Sequence, residues 1–467
     1  MKQRFTLIGS GLAGGLLAAY LGRRGYDVDL YERRADPREG NIFGGRSINL
    51  ALSTRGIHAL EQLGIADEVL KHAIPMRGRM IHPATAGRAP IFVPYDVDPN
   101  KHINSIGRAA LNTTVIEAAQ RYPNVRVHFN HRCTDVDLDS ATAKLVDSSV
   151  EAAVSAANPG SSVEAGVSPA DAGNRIIEAH ADAVIGVDGA FSAVRQSMQK
   201  KLAEFEYDES YLAHGYKELT IPPGPDGSWP MEKNALHIWP RKSFMMIALP
   251  NPDGSFTCTL FWEFEGPRSF KTMKTDEDVR RFFDEEFPDA VPLMPTLLED
   301  FRENPTGSLV TIRCAPWSYK DKVALVGDAA HAVVPFYGQG MNAAFEDCVV
   351  LDECLAKSPD NRERAFAEYF VKRKENADAL ADLAIENFIE MRDKTASRTF
   401  RAKKKLDHFL EALLPGVYLP LYTMVTFTRI PYAAAARRAR LQDRIVYGSL
   451  AIVALSISIL IVRLMIR

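Results

Sequence analysis

The pattern of apolar residues at the start of the chain predicts a strand, a helix and a second strand. Residues 5–8 (FTLI) form a short apolar run typical of a buried parallel strand. Residues 15–22 are rich in Ala and Leu, as in a helix packed on a sheet. After Gly25, residues 26–31 alternate between polar and apolar positions and end at Glu32. The order of these elements indicates a β–α–β unit.

Similar apolar runs return twice later in the chain. Residues 183–187 end at Asp188, and residues 323–326 are followed by Gly327 and Asp328. Between these two runs, residues 205–320 are rich in proline, aromatic residues and alternating segments, which favours a mixed or antiparallel sheet. Residues 362–444 have a helical pattern that prolines interrupt. We therefore expect an α/β fold in which a Rossmann-like domain is interleaved with a mixed β-sheet domain.

These patterns set the expected domain boundaries. The Rossmann-like domain should be discontinuous, with residues 1–75, 105–200 and 320–375, and the mixed β-sheet domain should comprise residues 76–104 and 201–319. A helical C-terminal region is expected over residues 376–444. Residues of about 140–174 are mostly Ala, Ser, Gly and Pro, and such a composition predicts a flexible insertion on a β-hairpin.

The C-terminal pattern differs from the rest of the chain. Residues 445–462 form an apolar run without charged side chains, and several arginines precede it. About eighteen residues at helical rise reach roughly 27 Å, close to the thickness of a bilayer core. We therefore expect a transmembrane helix at residues 445–462, with a terminal helix docked on the protein as the alternative. The preceding arginines predict a catalytic domain on the cytoplasmic side.

Composition and charge exclude some classes of protein. A net charge of −3 over 467 residues argues against a general nucleic-acid binder. The five cysteines are scattered without a C-x-x-C pair, which excludes a structural zinc site of the usual spacing and fits a reducing compartment. We expect no metal.

The turn after the first predicted strand carries the first candidate chemistry. Gly9, Gly11 and Gly14 supply G-x-G-x-x-G. In that fingerprint the first glycine permits a tight turn, the second admits a pyrophosphate and the third allows close packing of helix and strand. The helix N-terminus favours phosphate, and Glu32 could accept the ribose hydroxyls. The alternatives are a glycine-rich turn without a ligand and a secretory signal. We reject the second because the glycines interrupt the apolar stretch.

The second candidate is the turn at Gly327 and Asp328. A buried strand would deliver the Asp328 carboxylate to its carboxyl end, where it could bind the hydroxyls of a ribityl chain. Gly338 and Gly340 then open a helix whose N-terminus would face the pyrimidine edge of a flavin. The alternative for this turn is an ordinary Asx turn with a helix cap.

Three motifs follow one another along the chain: the glycine turn at Gly9, the end of a strand at Asp188, and the turn at Gly327 and Asp328. In this order they resemble the motifs of the FAD-dependent aromatic hydroxylases of the p-hydroxybenzoate hydroxylase type. The segments "GRSINLALS", "PMRGRMIHP", "VPFYGQGMNAAFEDC", "ENFIEMR" and "PLYTMVTFTRIPY" are similar to the branch that hydroxylates kynurenine, over nearly the whole chain. The resemblance implies FAD as cofactor, NADPH as transient co-substrate and O₂. A flavin C4a-hydroperoxide would convert L-kynurenine to 3-hydroxy-L-kynurenine. It also implies a membrane location, in the mitochondrial outer membrane for a eukaryotic chain and at the inner membrane or in the cytoplasm for a bacterial one.

The resemblance assigns roles to individual residues. The amino-acid end of the substrate is expected at Arg79, Tyr95, Asn387 and Tyr422, and the apolar slot for its ring at Phe336 and Met391. Phe336 and Gln339 should lie beside the flavin, with no protein base assigned. The residues expected to bind FAD are Gly9, Gly11, Ala13, Gly14, Glu32, Arg33, Ala51, Arg108, Cys133, Asp188, Asp328, Gly340, Met341 and Asn342.

Other interpretations of these residues stay open from the sequence. Arg79 could be a surface ion-pair partner, Tyr95 and Tyr422 could be half-buried core residues, and Asn387 could lie on a helix surface. The competing functions are hydroxylation of another arylamine or phenolic acid, and a membrane-tethered FAD-binding protein without turnover.

Overall fold

The computed structural model describes residues 2–39, 49–85, 87–96, 98, 100–147, 176–390 and 398–465. The strands, in chain order, are β1 (Arg4–Ile8), β2 (Asp27–Tyr31), β3 (Asn49–Leu52), β4 (Ala73–Met76), β5 (Gly78–Ile81), β6 (Ile91–Pro94), β7 (Ile103–Gly107), β8 (Val125–His128), β9 (His131–Asp137), β10 (Thr142–Asp147), β11 (Ile176–His180), β12 (Ala183–Gly186), β13 (Glu206–Ile221), β14 (Ala235–Arg241), β15 (Phe244–Pro250), β16 (Phe256–Glu263), β17 (Gly307–Ala315), β18 (Ser318–Tyr319) and β19 (Val323–Leu325).

The helices, in chain order, are α1 (Leu12–Arg23), α2 (Thr54–Gln62), α3 (Ala66–Leu70), α4 (Arg108–Gln120), α5 (Ala193–Lys201), α6 (Asp276–Glu286), α7 (Leu297–Glu303), α8 (Asp328–His331), α9 (Gly340–Lys357), α10 (Arg362–Ile389), α11 (Arg398–Leu413), α12 (Leu421–Phe427) and α13 (Tyr432–Met465). Short 3₁₀ turns cover Phe270–Thr272, Val291–Leu293 and Pro335–Tyr337.

A six-stranded sheet in the order β18-β19-β12-β1-β2-β8 forms the first layer. All neighbouring pairs except β18–β19 are parallel. Leu7, Leu30 and Ile185 are fully buried, as expected for parallel strands covered on both faces. Because parallel strands end at the same edge, the turns after β1, β2, β12 and β19 all lie together. The predicted polar residues of the nucleotide site follow those strands.

A seven-stranded sheet in the order β17-β13-β16-β15-β14-β5-β6 forms the second layer. One face packs Trp239 and Trp262 against Phe283 of α6 in a fully buried cluster. The other face packs Phe261 against Phe336 and the C-terminal helices. Two three-stranded sheets, β11-β10-β9 and β3-β7-β4, flank these layers.

The stretch that composition assigns to an insertion begins within an ordered hairpin. β10 pairs with β9 and with β11, and it covers the first residues of that stretch. The rest of the predicted insertion, residues 148–174, lies outside the described residues.

A buried network of charged side chains joins α8, α9 and α10. The Asp347 carboxylate contacts His331 Nε2 at 2.5 Å and Arg373 Nε at 2.6 Å, and it accepts a bond from the Gly327 N–H at 3.1 Å. Burial alone would raise the pKa of Asp347, but the positive charges of His331 and Arg373 lower it. The carboxylate thus contributes stability that is present at neutral pH and is lost as the pH falls below the usual carboxyl range.

Asp347→Ala should destabilise the fold strongly, because it removes the carboxylate that contacts both His331 and the buried Arg373 guanidinium and leaves Arg373 with its contact to Glu346. We expect the free energy of unfolding, measured by urea denaturation, to fall by about 3 to 5 kcal/mol. Asp284→Ala breaks an exposed ion pair with Arg280 and serves as the control. Its expected loss is below about 1 kcal/mol. Equal midpoints for the two variants would show that the network contributes nothing.

The prediction of a membrane-spanning tail is wrong. Among the described residues, no helix combines the length and the apolarity that a membrane crossing needs. The apolar residues 445–462 continue α13, which starts at Tyr432 with its first turns buried in the protein and carries several arginines before the run. Gly448, Ser449, Ser456 and Ser458 interrupt the run. This finding overturns three predictions. They are the transmembrane helix in the fold class, the membrane association, and the membrane-anchored localisation with the catalytic domain facing the cytoplasm.

Candidate active site

The turn between β1 and α1 is shaped by two of its glycines. Gly9 has a φ of +106°, and a Cβ there would lie 2.7 Å from the Asp188 Cα. A Cβ on Gly14 would lie 1.8 Å from the Gly9 carbonyl oxygen. These close approaches require glycine at both positions. Glu32 secures the turn because its carboxylate accepts the Ser10 N–H at 2.8 Å.

Space for a ligand opens on the other side of this turn. A Cβ on Gly11 would meet no atom within 4 Å, although Gly11 caps the N-terminus of α1. The Ser10 hydroxyl is buried and has no hydrogen-bond partner among the described residues. An open glycine, an unpaired hydroxyl and a helix N-terminus fit the pyrophosphate of a dinucleotide. Ala13 follows in the first turn of α1, and the exposed Arg33 comes directly after Glu32.

The end of β12 supplies a second acidic group at this edge. One Asp188 oxygen accepts the Ala193 N–H at 2.7 Å and so caps α5. The other oxygen is buried without a partner in the described ranges, and burial raises the pKa of Asp188. Cys133 lies near this carboxylate, and burial raises the pKa of its thiol to about 12. The Cys133 thiol is therefore neutral. Asp188, by contrast, has one carboxylate oxygen that could accept a hydrogen bond from a ligand.

Asp328 follows β19 at the same edge. Gly327 before it has a φ of +62°, which turns the chain so that the Asp328 side chain stays accessible. Neighbouring protein atoms still partly desolvate the carboxyl group and raise its pKa, while His331 and Arg108 oppose the shift. Arg108 is an exposed residue at the start of α4. The structure thus brings Asp188, Asp328 and Arg108 to one edge with the glycine turn.

Glu218 lies on β13 of the seven-stranded sheet, opposite Thr259 of β16, and interacts electrostatically with Arg108. Burial raises its pKa from the usual 4.5 to about 7, and the positive charge of Arg108 opposes the shift. Folding therefore takes up a proton between these two values, and this contribution to stability is lost as the pH rises through them.

Glu218→Gln should remove the loss of stability that accompanies the ionisation of Glu218 as the pH rises. Between about pH 5 and pH 8 the free energy of unfolding of the variant should fall less than that of the unmodified protein. Glu206→Gln, an exposed position on the same strand, should keep the original pH dependence. Parallel curves for Glu218→Gln and the unmodified protein would place the ionisation elsewhere.

The N-terminus of α9 is fastened to β3 by buried amides. Asn342 donates to the Ala51 carbonyl at 2.8 Å and accepts the Ser53 N–H at 2.9 Å. Gln339 donates to the Ser53 hydroxyl at 3.1 Å and accepts the Tyr432 hydroxyl at 3.1 Å. Both the amide nitrogen and the amide oxygen of Gln339 are thus used in hydrogen bonds to other residues of the protein.

The helix start itself, at Gly340 and Met341, follows the left-handed Gly338. These two residues, together with Ala51 and Asn342, lie at one corner of the cleft.

Three of the four residues predicted for the amino-acid end of the substrate, Arg79, Tyr95 and Tyr422, come together in one cluster. Tyr95 and Tyr422 stack with ring centroids 5.4 Å apart. The Arg79 guanidinium lies over both rings, 5.6 Å from Tyr95 and 4.9 Å from Tyr422. Burial alone would lower the pKa of Arg79, but the two phenols and Glu390 raise it overall.

This cluster has unused hydrogen-bonding groups. The Nε of Arg79 is buried without a partner in the part of the chain that the structure describes. The buried Tyr95 hydroxyl lies close to the Arg79 guanidinium and to Tyr422, but it makes no hydrogen bond of normal geometry to either. A buried cation beside an unpaired hydroxyl fits an anionic ligand. The interpretation of Arg79 as a surface ion-pair partner does not agree with this position.

Aromatic residues form the wall next to the cluster. Phe336 stacks on Phe388 at 4.1 Å and packs against Phe261 at 4.9 Å. Asn387 is buried and donates to the Phe336 carbonyl at 2.7 Å, so it supports this wall from α10. Met391 lies outside the described residues.

Tyr337 was not anticipated from the sequence. Its ring stacks on Tyr422 with centroids 5.9 Å apart, and it lines a cavity of about 120 Å³ with Tyr422, Asn387 and Glu390. The only sequence signal was an aromatic residue directly before Gly338. Glu218 was also missed, because an isolated acid on an alternating strand does not reveal which face is covered.

Comparisons with known proteins agree with this geometry. Residues 4–384 match the family model described as FAD binding domain. The kynurenine 3-monooxygenase of Myxococcus xanthus is 46% identical over 95% of this chain and 90% of its own length. The kynurenine 3-monooxygenase of Dictyostelium discoideum is 45% identical over 94% of this chain and 91% of its own length.

A solved structure shares the fold. The 2-methyl-3-hydroxypyridine-5-carboxylic acid oxygenase superposes with a TM-score of 0.63 at 20% identity, over 91% of this chain and 96% of that one. At this identity the likeness concerns the fold alone. The two relatives and the family model carry the assignment: the chain belongs to the kynurenine 3-monooxygenase family of FAD-dependent monooxygenases.

Proposed function

We propose that the protein hydroxylates L-kynurenine to 3-hydroxy-L-kynurenine with NADPH and O₂, and that Arg79 holds the substrate carboxylate. The observation that carries the proposal is the buried Arg79 guanidinium with an unpaired Nε beside the unpaired hydroxyl of Tyr95. A guanidinium binds a carboxylate through parallel charge-assisted hydrogen bonds, and a phenol adds a further donor.

FAD would be held by residues at the shared edge of the parallel sheet. The N-terminus of α1 at Gly11 suits the pyrophosphate, Glu32 suits the ribose and Asp328 suits the ribityl hydroxyls. The N-terminus of α9 at Gly340 would favour negative charge on the pyrimidine part of the ring. When bound, FAD supplies hydride acceptance from NADPH and activation of O₂ for insertion of one oxygen atom.

The protein's own contribution is to position the substrate and to exclude water. Arg79 and Tyr95 would fix the amino-acid end, and the Tyr422 ring, stacked on Tyr95, supports them. The aromatic wall of Phe336 and Phe388 offers an apolar surface for the substrate ring. A held ring reacts as an intramolecular partner, and a dry site limits wasteful side reactions. The arylamine of kynurenine itself donates electron density to the ring, so no protein base is assigned.

The test uses the purified, flavin-loaded protein with NADPH. Consumption of NADPH and the hydroxylated product are followed together for L-kynurenine, anthranilate and 4-hydroxybenzoate. We expect L-kynurenine to stimulate NADPH consumption with matching formation of 3-hydroxykynurenine. Preference for either other compound would support a hydroxylase of a different arylamine or phenolic acid. NADPH consumption indifferent to all three would indicate an FAD-binding protein without turnover.

A further inference from the structure

The two faces of the seven-stranded sheet differ in what covers them. On β16, Leu260 belongs to the buried cluster that packs on α6. Because side chains alternate along a strand, Thr259 and Phe261 point to the opposite face. Phe261 packs against Phe336 with ring centroids 4.9 Å apart. Thr259 therefore lies on the same face of the sheet as the aromatic wall.

Thr259 carries a hydroxyl group that the protein does not use. The residue is 1% exposed, and its hydroxyl has no hydrogen-bond partner among the described residues. Its neighbours across the strands, Ile247 on β15 and Glu218 on β13, are only partly buried. A buried hydroxyl in a protein normally has a partner. Since no protein group fills this role and the neighbouring positions are partly open, the hydroxyl is available to a ligand.

A row of isoleucines connects Thr259 with the strand of Arg79. Ile247 lies opposite Ile238 of β14, and Ile238 lies beside Ile81 of β5. Ile81 comes two residues after Arg79, so both side chains point to the same face. All three isoleucines belong to the apolar cluster that contains the aromatic wall. This face therefore offers a cation at one end, an apolar middle and a hydroxyl at the other end.

The order of these groups matches the order of groups in L-kynurenine. β5 and β16 are three strand spacings apart, about 14 Å, which the Arg79 side chain and an extended substrate cover together. With the carboxylate at Arg79, the ring lies above the isoleucines and its amine points toward Thr259. One N–H of this amine can reach the ketone oxygen of the same molecule. The other N–H needs an acceptor, and the hydroxyl oxygen can supply it.

We propose that Thr259 is a specificity-determining residue whose hydroxyl accepts a hydrogen bond from the ring amine of L-kynurenine. The proposal rests on the proposed function in placing the substrate carboxylate at Arg79. It explains how the site distinguishes an arylamine from a ring of similar shape without the amine, because such a ring leaves the buried hydroxyl unpaired.

The test measures ligand binding and needs no turnover. Flavin-loaded protein without NADPH is titrated with L-kynurenine and with L-2-amino-4-oxo-4-phenylbutanoate, which lacks only the ring amine. The change in flavin absorbance gives both dissociation constants. The unmodified protein should bind L-kynurenine roughly fivefold more tightly, as expected for one neutral hydrogen bond. Thr259→Val replaces the hydroxyl by a methyl group and should lose this preference, mainly through weaker binding of L-kynurenine.

Thr114→Val is the matched control. Thr114 is a buried threonine of α4 whose hydroxyl donates to the Ala110 carbonyl within the same helix. This variant should keep the preference of the unmodified protein. A preference that persists in Thr259→Val, or equal affinities of the unmodified protein for the two ligands, would overturn the role of Thr259. If the unmodified protein binds neither ligand, the proposed function fails instead.

Discussion

Arg79→Ala should raise the KM of L-kynurenine by at least roughly 100-fold, because it removes two charge-assisted hydrogen bonds to the carboxylate, each worth about 1.5 to 3 kcal/mol. The guanidinium is held over the rings of Tyr95 and Tyr422, so the protein spends no binding energy on ordering it. Without this anchor the substrate ring loses its alignment, and NADPH oxidation should separate from hydroxylation.

The measurement is steady-state KM together with the ratio of product formed to NADPH consumed. Arg77→Ala is the matched control, since Arg77 is exposed and lies two positions earlier in the chain. Its KM and coupling should equal those of the unmodified protein. If Arg79→Ala behaves like Arg77→Ala, the carboxylate does not bind at Arg79.

Gly11→Val should leave the protein folded but weaken FAD binding on the order of 100-fold, a loss of about 2.7 kcal/mol. The backbone at Gly11 has φ −73° and ψ −172°, an extended conformation that valine adopts readily. A side chain there meets no protein atom but fills the space expected for the pyrophosphate. The dissociation constant can be measured by quenching of flavin fluorescence during titration of the apoprotein.

Gly14→Ala gives the opposite pattern and serves as the contrast. Its Cβ would lie 1.8 Å from the Gly9 carbonyl oxygen, so the turn must deform even without a ligand. We expect this variant to lose thermal stability as apoprotein, whereas Gly11→Val should keep it. Unchanged FAD affinity in Gly11→Val would mean that the pyrophosphate does not approach this turn.

The positions of the predicted FAD-binding residues at one edge of the parallel sheet could be anticipated from the sequence because their signals are local. Each polar group follows its own apolar run, and parallel strands end at a common edge whatever lies between them. Glu32 and Asp328 are therefore placed by the order of strands alone. The order of strands also predicts that Asp188 lies at this edge. It does not predict that one Asp188 oxygen caps α5.

Contacts between segments that are distant in the sequence could not be predicted in this way. The direction of the Gln339 side chain depends on Ser53 and Tyr432, which come from opposite ends of the chain. The hydrogen bond between His82 and His237 depends on the parallel pairing of β5 with β14. The pattern of apolar and polar residues in the two strands does not predict this pairing. In the C-terminal tail, counting apolar residues did not take account of the helix that contains them, which begins on the protein at Tyr432.

The central claim is that Arg79 recognises the carboxylate of the substrate inside the flavin cleft. It is tested most directly by comparing L-kynurenine with kynuramine, which lacks the carboxylate, in the unmodified protein and in Arg79→Ala. We predict that the unmodified protein prefers L-kynurenine by roughly 100-fold in kcat/KM and that Arg79→Ala loses this preference. The same preference in both proteins would contradict the account.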